Sequence, residues 1–198
     1  MFSRSTSMLS NKLASSMMTF NRNVMMRSFA TVVSGDKIPS AVVSVVKHDG
    51  ENGFQSEIVD AAEYLQGKRV VIVGYPGAFT PTCMATHVPD FIAKAEAIKA
   101  AGCDEILALS VNDPFVVTAF AEKLGGKTMI NYVADGNGEL TKALGLELDL
   151  SVAQLGDNRT KRCSMLVSQG QVLQMNNEDG PALTEISGAD RILQQLGK

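Results

Sequence analysis

Apolar residues recur along this chain in two rhythms, short unbroken runs and stretches spaced by three and four, and the two alternate from residue 38 onward. Residues 41–46 are a short apolar run and read as a strand. Gly50 to Gly53 is a turn, and residues 58–65 read as a second short strand entering a helical turn. Residues 69–75 place Val70, Val71, Ile72 and Val73 in a row, the pattern of a strand buried on both faces. Over residues 81–101 the spacing changes to that of a helix, through Val88, Phe91, Ile92, Ala95 and Ile98, with Gly102 as a stop signal. Pro89 is expected to kink this helix near its start. Residues 106–111 read as the next strand. A helix then starts at Asn112-Asp113-Pro114, with Asp113 as N-cap and Pro114 in the first turn, and ends at Gly125. Residues 130–134 read as a strand and 139–144 as a short helix closed by Gly145. Residues 148–161 are polar and irregular, a loop with a helical turn. Residues 163–167 and 172–175 flank Ser168-Gln169-Gly170-Gln171, a hairpin signal. Residues 187–196 are a terminal helix with Ser187 as N-cap. Strand–helix alternation followed by a hairpin and a helix predicts an α/β fold, a mixed central sheet with helices on both faces.

Composition refines this picture. The chain has 198 residues, 45% hydrophobic and 20% charged, enough for one globular domain with a substantial core. No apolar run approaches the ~18 residues that span a bilayer, so no membrane partner is expected. The first thirty residues differ from the rest. They contain no acidic residue, the basic residues Arg4, Lys12, Arg22 and Arg27, and seven serines. Basic, Ser-rich and acid-free is the composition of an organelle transit peptide, and the continuous apolar segment of a secretory signal is missing. Arg27-Ser28-Phe29-Ala30 resembles a mitochondrial processing site. The expectation is a cleaved targeting peptide over residues 1–29 and a folded domain over residues 36–198 in the mitochondrial matrix, with a plastid as the alternative. Without the leader, 14 basic residues face 21 acidic ones, a formal charge near −7. That argues against nucleic acid as a partner. The cysteines Cys83, Cys103 and Cys163 form no C-x-x-C pair, so neither a zinc knuckle nor a thioredoxin-type dithiol is indicated.

Chemistry concentrates in Gly74 to His87, G-Y-P-G-A-F-T-P-T-C-M-A-T-H. A buried strand feeds a tight turn, and a cysteine follows in the first turn of a helix. Unpaired N–H groups and the positive end of the helix dipole favour a thiolate there.

Pro76-x-x-x-Thr80-x-x-Cys83 resembles the active-site pattern of the peroxiredoxins. G-A-F-T-P-T-C, the later S-V-N-D-P-F (Ser110 to Phe115) and K-R-C-S-M (Lys161 to Met165) resemble the type II, or atypical, branch. The likeness runs from about Ile38 to the C-terminus. It implies a thioredoxin-like fold with an extra N-terminal hairpin and a thiol-dependent reduction of hydrogen peroxide and alkyl hydroperoxides. Cys83 would attack the peroxide and become a sulfenic acid. The Thr80 hydroxyl would accept from the peroxide and donate to the thiolate, while also suiting a helix N-cap. Arg162 would stabilise the thiolate and the leaving oxygen, and Pro76 would shield the sulfur from water. No metal or organic cofactor is implied. Arg159 and Lys161 are expected to be solvated. His87, four residues after Cys83, is read as a structural or dimer-contact residue. A homodimer is a family expectation, with Phe79 and Pro114-Phe115 on loops that suit it.

The sulfenic acid needs a thiol to reduce it. The positions that carry a resolving cysteine in the animal-type and plant-type members hold Glu185 and Ala108 here. Cys103 lies twenty residues along the helix, roughly 30 Å away at ~1.5 Å per residue. Cys163 neighbours Arg162 on a strand and so points to the opposite face. Both are read as structural. The expected reductant is external, glutathione with or without glutaredoxin ahead of thioredoxin. The alternative is a peroxide sensor or redox relay that uses the same cysteine without efficient turnover.

Overall fold

The computed structural model describes residues 31–125 and 129–197; the segment read as a targeting peptide lies outside them. Strands β1 (Val42–His48) and β2 (Phe54–Asp60) form an antiparallel hairpin, paired from Val42↔Asp60 to His48↔Phe54. Asp49 closes the turn by accepting from the N–H groups of Glu51 and Asn52. β2 begins at Phe54, earlier than residue 58, because pairing with β1 holds the exposed residues Gln55, Ser56 and Glu57 extended. Asp60 ends β2 and caps α1 (Ala61–Tyr64), its carboxylate accepting from the Glu63 N–H.

The remaining strands of the main sheet are β3 (Arg69–Gly74), β4 (Glu105–Ser110), β5 (Asn131–Ala134), β8 (Cys163–Ser168) and β9 (Gln171–Asn177). The sheet has seven strands in the order β2-β1-β5-β4-β3-β8-β9. β3 runs parallel to β4 and antiparallel to β8, and β4 runs parallel to β5. The stretch read as irregular holds two short paired strands, β6 (Glu147–Leu148) and β7 (Arg159–Thr160), and a 3-10 turn over Ser151–Ala153.

Side chains alternate across β3, so its four central residues serve two cores. Val71 and Val73 enter one, with Phe91 of α2 (Val88–Ala93), Ile98 of α3 (Ala95–Ala100), Phe120 of α4 (Pro114–Leu124) and Ile192 of α6 (Ala189–Leu196). Val70 and Ile72 enter the other, with Ala61 of α1 and Leu140 of α5 (Glu139–Ala143). Phe91, Ile98 and Phe120 are fully buried, each contributing ~1.5–3 kcal/mol by removal from water.

The single helix read over 81–101 is divided. A π-helical segment, Cys83–His87, precedes α2, and Lys94 (φ −101, ψ 6) separates α2 from α3. The disturbance expected near Pro89 takes the form of the π-helical segment that ends two residues before it, and Lys94 adds a second break. α4 is capped as read: Asp113 accepts from Phe115 and Val116, and Gly125 closes it with φ 71. α6 is not capped by Ser187. Gly188 holds the cap position, the Ala189 N–H donates to Asp90 at 3.3 Å, and the Ser187 hydroxyl turns to Glu178.

Candidate active site

The loops after the parallel strands β3 and β4 leave the same edge of the sheet, the usual place for a site in such an arrangement. Gly74 ends β3 beneath this edge. A Cβ there would lie 2.5 Å from the Cys163 sulfur and 2.8 Å from the Lys161 carbonyl, so only glycine admits β8 this closely. Tyr75 donates its N–H to the Leu109 carbonyl and stacks on Phe120, ring centroids 5.4 Å apart. Pro76 and Gly77 are buried. Ala78 donates its N–H to the Asn112 side chain at 3.0 Å, which fastens this loop to the one entering α4. Phe79 takes φ 61, a left-handed conformation that non-glycine residues seldom adopt. Its ring meets Phe120 edge-on at 5.4 Å.

Thr80 donates its hydroxyl proton to the Gly77 carbonyl at 2.9 Å. The side chain therefore closes the turn before the helix rather than capping the helix. Cys83 opens the π-helical segment, and its side chain has no exposed surface.

Arg162 reaches Cys83 from the residue preceding β8. It is 2% exposed and uses three nitrogens on three partners. Nη2 lies 3.5 Å from the Cys83 sulfur, Nη1 donates to His87 Nδ1 at 3.1 Å, and Nε donates to the Pro181 carbonyl at 2.8 Å. A guanidinium has no acceptor, so His87 Nδ1 must accept and Nε2 must carry the proton. Nε2 faces the Ser187 carbonyl at 3.3 Å. Burial, and next the Arg162 charge, push the His87 pKa down to about 4, so the ring is neutral near neutral pH. Segment 178–188 supplies both carbonyls. The buried Glu178 carboxylate holds that segment, accepting from the N–H and hydroxyl groups of both Thr184 and Ser187.

Cys83 and Arg162 are thus brought together, with Pro76 and Thr80 on the loop leading to the cysteine. Arg159 and Lys161 are not solvated as expected. Arg159 is half-buried and donates to the Leu155 and Val111 carbonyls at 2.6 and 2.9 Å; Lys161 reaches the Gly145 carbonyl at 3.3 Å. Turns arriving from distant sequence supply acceptors that no local pattern announces. The sequence reading missed the contact of His87 with Arg162 and missed Glu178 altogether. The i+4 spacing of His87 from Cys83 was the available signal for the first; a lone glutamate in a loop gave none for the second.

Cys163 pairs with Gly74 in the sheet and faces the core opposite to that of Cys83. Burial pushes its thiol up to about 12. Cys103 is 4% exposed and precedes β4, whereas Cys83 follows β3. The parallel pairing puts them at opposite ends of six-residue strands, about 20 Å apart at ~3.3 Å per residue. Burial raises the Cys103 pKa as well. A groove of about 1240 Å³ runs beside segment 178–188, lined by Thr86, His87, Lys94, Thr184, Glu185 and Arg191 among others. It meets the cysteine site at His87 and does not include Cys83.

The Redoxin family profile matches residues 33–193. Peroxiredoxin-2C of Oryza sativa subsp. japonica is 46% identical over 167 residues, 84% of this chain and 99% of that protein. Some relatives carry organelle names. Peroxiredoxin-2E-2, chloroplastic, of the same rice is 43% identical, covering 84% of this chain and 73% of that protein. Peroxiredoxin-2F, mitochondrial, of Arabidopsis thaliana is 39% identical, covering 86% and 87%. The solved structure of reduced Prx3 from Vibrio vulnificus in complex with hydrogen peroxide is 37% identical with a TM-score of 0.75, covering 84% of this chain and 97% of that one.

Proposed function

Because the chain belongs to the Redoxin family, in its type II peroxiredoxin branch, and is a thiol-dependent peroxidase, we propose that Cys83 is the sulfur that meets the peroxide. The observation that carries this reading is the 3.5 Å approach of Arg162 Nη2 to a sulfur with no exposed surface. A fixed cation there favours negative charge on sulfur. The thiolate attacks one peroxide oxygen; the S–O bond forms as the O–O bond breaks. The leaving oxygen takes a proton and departs as water or an alcohol, and sulfur is oxidised to sulfenic acid. Arg162 stabilises the charge passing to the leaving oxygen. Thr80 offers its oxygen as an acceptor beside the reacting atoms, and Pro76 excludes water without adding an N–H. Hydrogen peroxide is the first substrate proposed, since the Vibrio relative was solved holding it; alkyl hydroperoxides are the second.

Resolution falls to an external thiol. The placement of Cys103 and Cys163 away from Cys83 supports this, as does Ala108, buried within β4. Glutathione, alone or with glutaredoxin, is proposed ahead of thioredoxin. The thiol condenses with the sulfenic acid to a mixed disulfide and water, and a second thiol releases Cys83. Phe79, 47% exposed on the loop before Cys83, and Phe115, 84% exposed in the first turn of α4 and not on a loop as expected, support a homodimer. The composition of residues 1–29 supports a cleaved mitochondrial address, with a plastid as the alternative.

Peroxide consumption with thioredoxin, with glutathione, and with glutathione plus glutaredoxin, run in parallel, tests the reductant. Turnover greatest with the glutathione arms is expected, and turnover with thioredoxin alone would sink that choice. Cys83→Ser is expected to abolish consumption in every arm. Single-event oxidation of Cys83 without turnover in any arm would favour a sensor instead.

A further inference from the structure

We propose that Glu178 is a positioning residue for the peroxidase site, pinning segment 178–188 so that two of its carbonyls hold Arg162 and His87 against Cys83. The inference rests on the assignment of Cys83 and Arg162 made above.

Glu178 lies directly beside Arg162, its N–H donating to the Arg162 carbonyl at 3.0 Å. Its side chain is 3% exposed and receives four donors. Oε1 accepts from Thr184 N (3.0 Å), Ser187 N (3.1 Å) and Ser187 Oγ (2.8 Å); Oε2 accepts from Thr184 Oγ (2.8 Å). Burial opposes the charge, yet these bonds hold the carboxyl below the usual glutamate range. Charge-assisted bonds of this kind are about twice as strong as neutral ones.

What the carboxylate fixes is a closed loop. Pro181 lies between Glu178 and Thr184, and its carbonyl accepts from Arg162 Nε at 2.8 Å. Ser187 both donates twice to Glu178 and turns its carbonyl toward His87 at 3.3 Å. Of the three partners of the Arg162 guanidinium, one is the sulfur. Pro181 belongs to the loop, and His87 is anchored by it. Without the carboxylate the loop loses its internal tie, and Arg162 and His87 keep each other but lose their fixed acceptors. The charged groups acting on His87 are Arg162, Glu178 and Asp90.

The test uses the full chain with Glu178→Ala and Glu178→Gln. Three quantities are read: the rate of Cys83 oxidation by hydrogen peroxide in a single turnover, the pH profile of Cys83 alkylation by iodoacetamide, and the melting temperature. Glu178→Ala is expected to slow oxidation about tenfold, the scale of a small misplacement of a reacting group, and to change the alkylation profile. Glu178→Gln is expected to stay within about twofold, because its carbonyl serves the same three donors and its amide can donate to Thr184 Oγ. If Glu178→Ala does not fold, the double variant Thr184→Val with Ser187→Ala removes both hydroxyl donors and should change both readouts in the same direction. A folded variant that melts lower but reacts at the wild-type rate, with an unchanged profile, overturns the proposal. So does a Glu178→Gln protein as slow as Glu178→Ala. Turnover surviving in Cys83→Ser in the same assay overturns the assignment of Cys83 itself, and this proposal with it.

Discussion

His87 is neutral first because its ring is cut off from water, and next because a guanidinium that can only donate occupies Nδ1. This has a cost that grows in acid. Near pH 7 the ring is neutral whether the chain is folded or unfolded. Below about 6.5 the unfolded chain binds a proton that the folded chain refuses until about pH 4. Stability should therefore fall as pH drops across that window, by on the order of 3 kcal/mol from this residue. Urea unfolding at a series of pH values measures the slope. His87→Gln supplies an acceptor and a donor without a titrating ring, and should flatten it; an unchanged slope would remove His87 from the account. Gly74 makes a second prediction at this scale. Gly74→Ala drives a methyl group into the Cys163 sulfur and the Lys161 carbonyl, and overpacking of this kind costs about 1–3 kcal/mol. Adding Cys163→Ala should recover part of the loss, since it empties one of the two contacts; a double mutant no more stable than the single would contradict this. The i+4 spacing of His87 from Cys83 was legible in the sequence. That Arg162 arrives 75 residues later to use it was not.

At the scale of elements, α2, which continues from the segment that carries Cys83, is joined to the last helix of the chain through Asp90 and Lys94. Asp90 in α2 accepts from the Ala189 N–H that opens α6, and pairs with Lys94 at 2.9 Å, which also reaches Asp190 at 2.8 Å. Asp90→Ala removes the cap of a helix whose own sequence provides only Gly188 at that position. A loss of about 0.5–2 kcal/mol is expected, with faster amide exchange in the first turn of α6. Unchanged exchange there would show that Asp90 is dispensable to the cap. Elements fixed by their own residues were legible: β3 from four consecutive apolar residues, α4 from Asp113 and Gly125. Features fixed from outside were not: the start of β2 at Phe54 is set by its partner, the π-helical turn is closed by a backbone bond from Val88 to Cys83, and the α6 cap comes from 99 residues away.

Across the whole molecule, the sheet is a partition. Cys83 belongs to the core on one side and Cys163 to the core on the other, while Cys103 lies at the far end of the strands. The fold class, the N-terminal hairpin and the two helical layers followed from patterning and resemblance, because burial on both faces writes itself into consecutive apolar residues. The path of segment 178–188 did not, because its contacts are polar and lie far apart along the chain. On the proposed one-cysteine cycle, one equivalent of peroxide should add one oxygen to the intact protein, or glutathione to Cys83 when glutathione is present. A loss of two hydrogens mapped to Cys83–Cys103 or Cys83–Cys163 would refute that cycle. The partition also has a consequence in time. On that cycle a Cys83 sulfenic acid, with Cys163 across the sheet and Cys103 at the far end of the strands, must wait for an external thiol, and the length of the wait is set by the surroundings. The oxidised fraction then follows the ratio of two arrivals, peroxide and thiol. When thiol is scarce, a second peroxide arrives first and takes the sulfur to the sulfinic state. On the proposed cycle, the placing of three cysteines around one sheet thereby sets how long the protein remembers an oxidant.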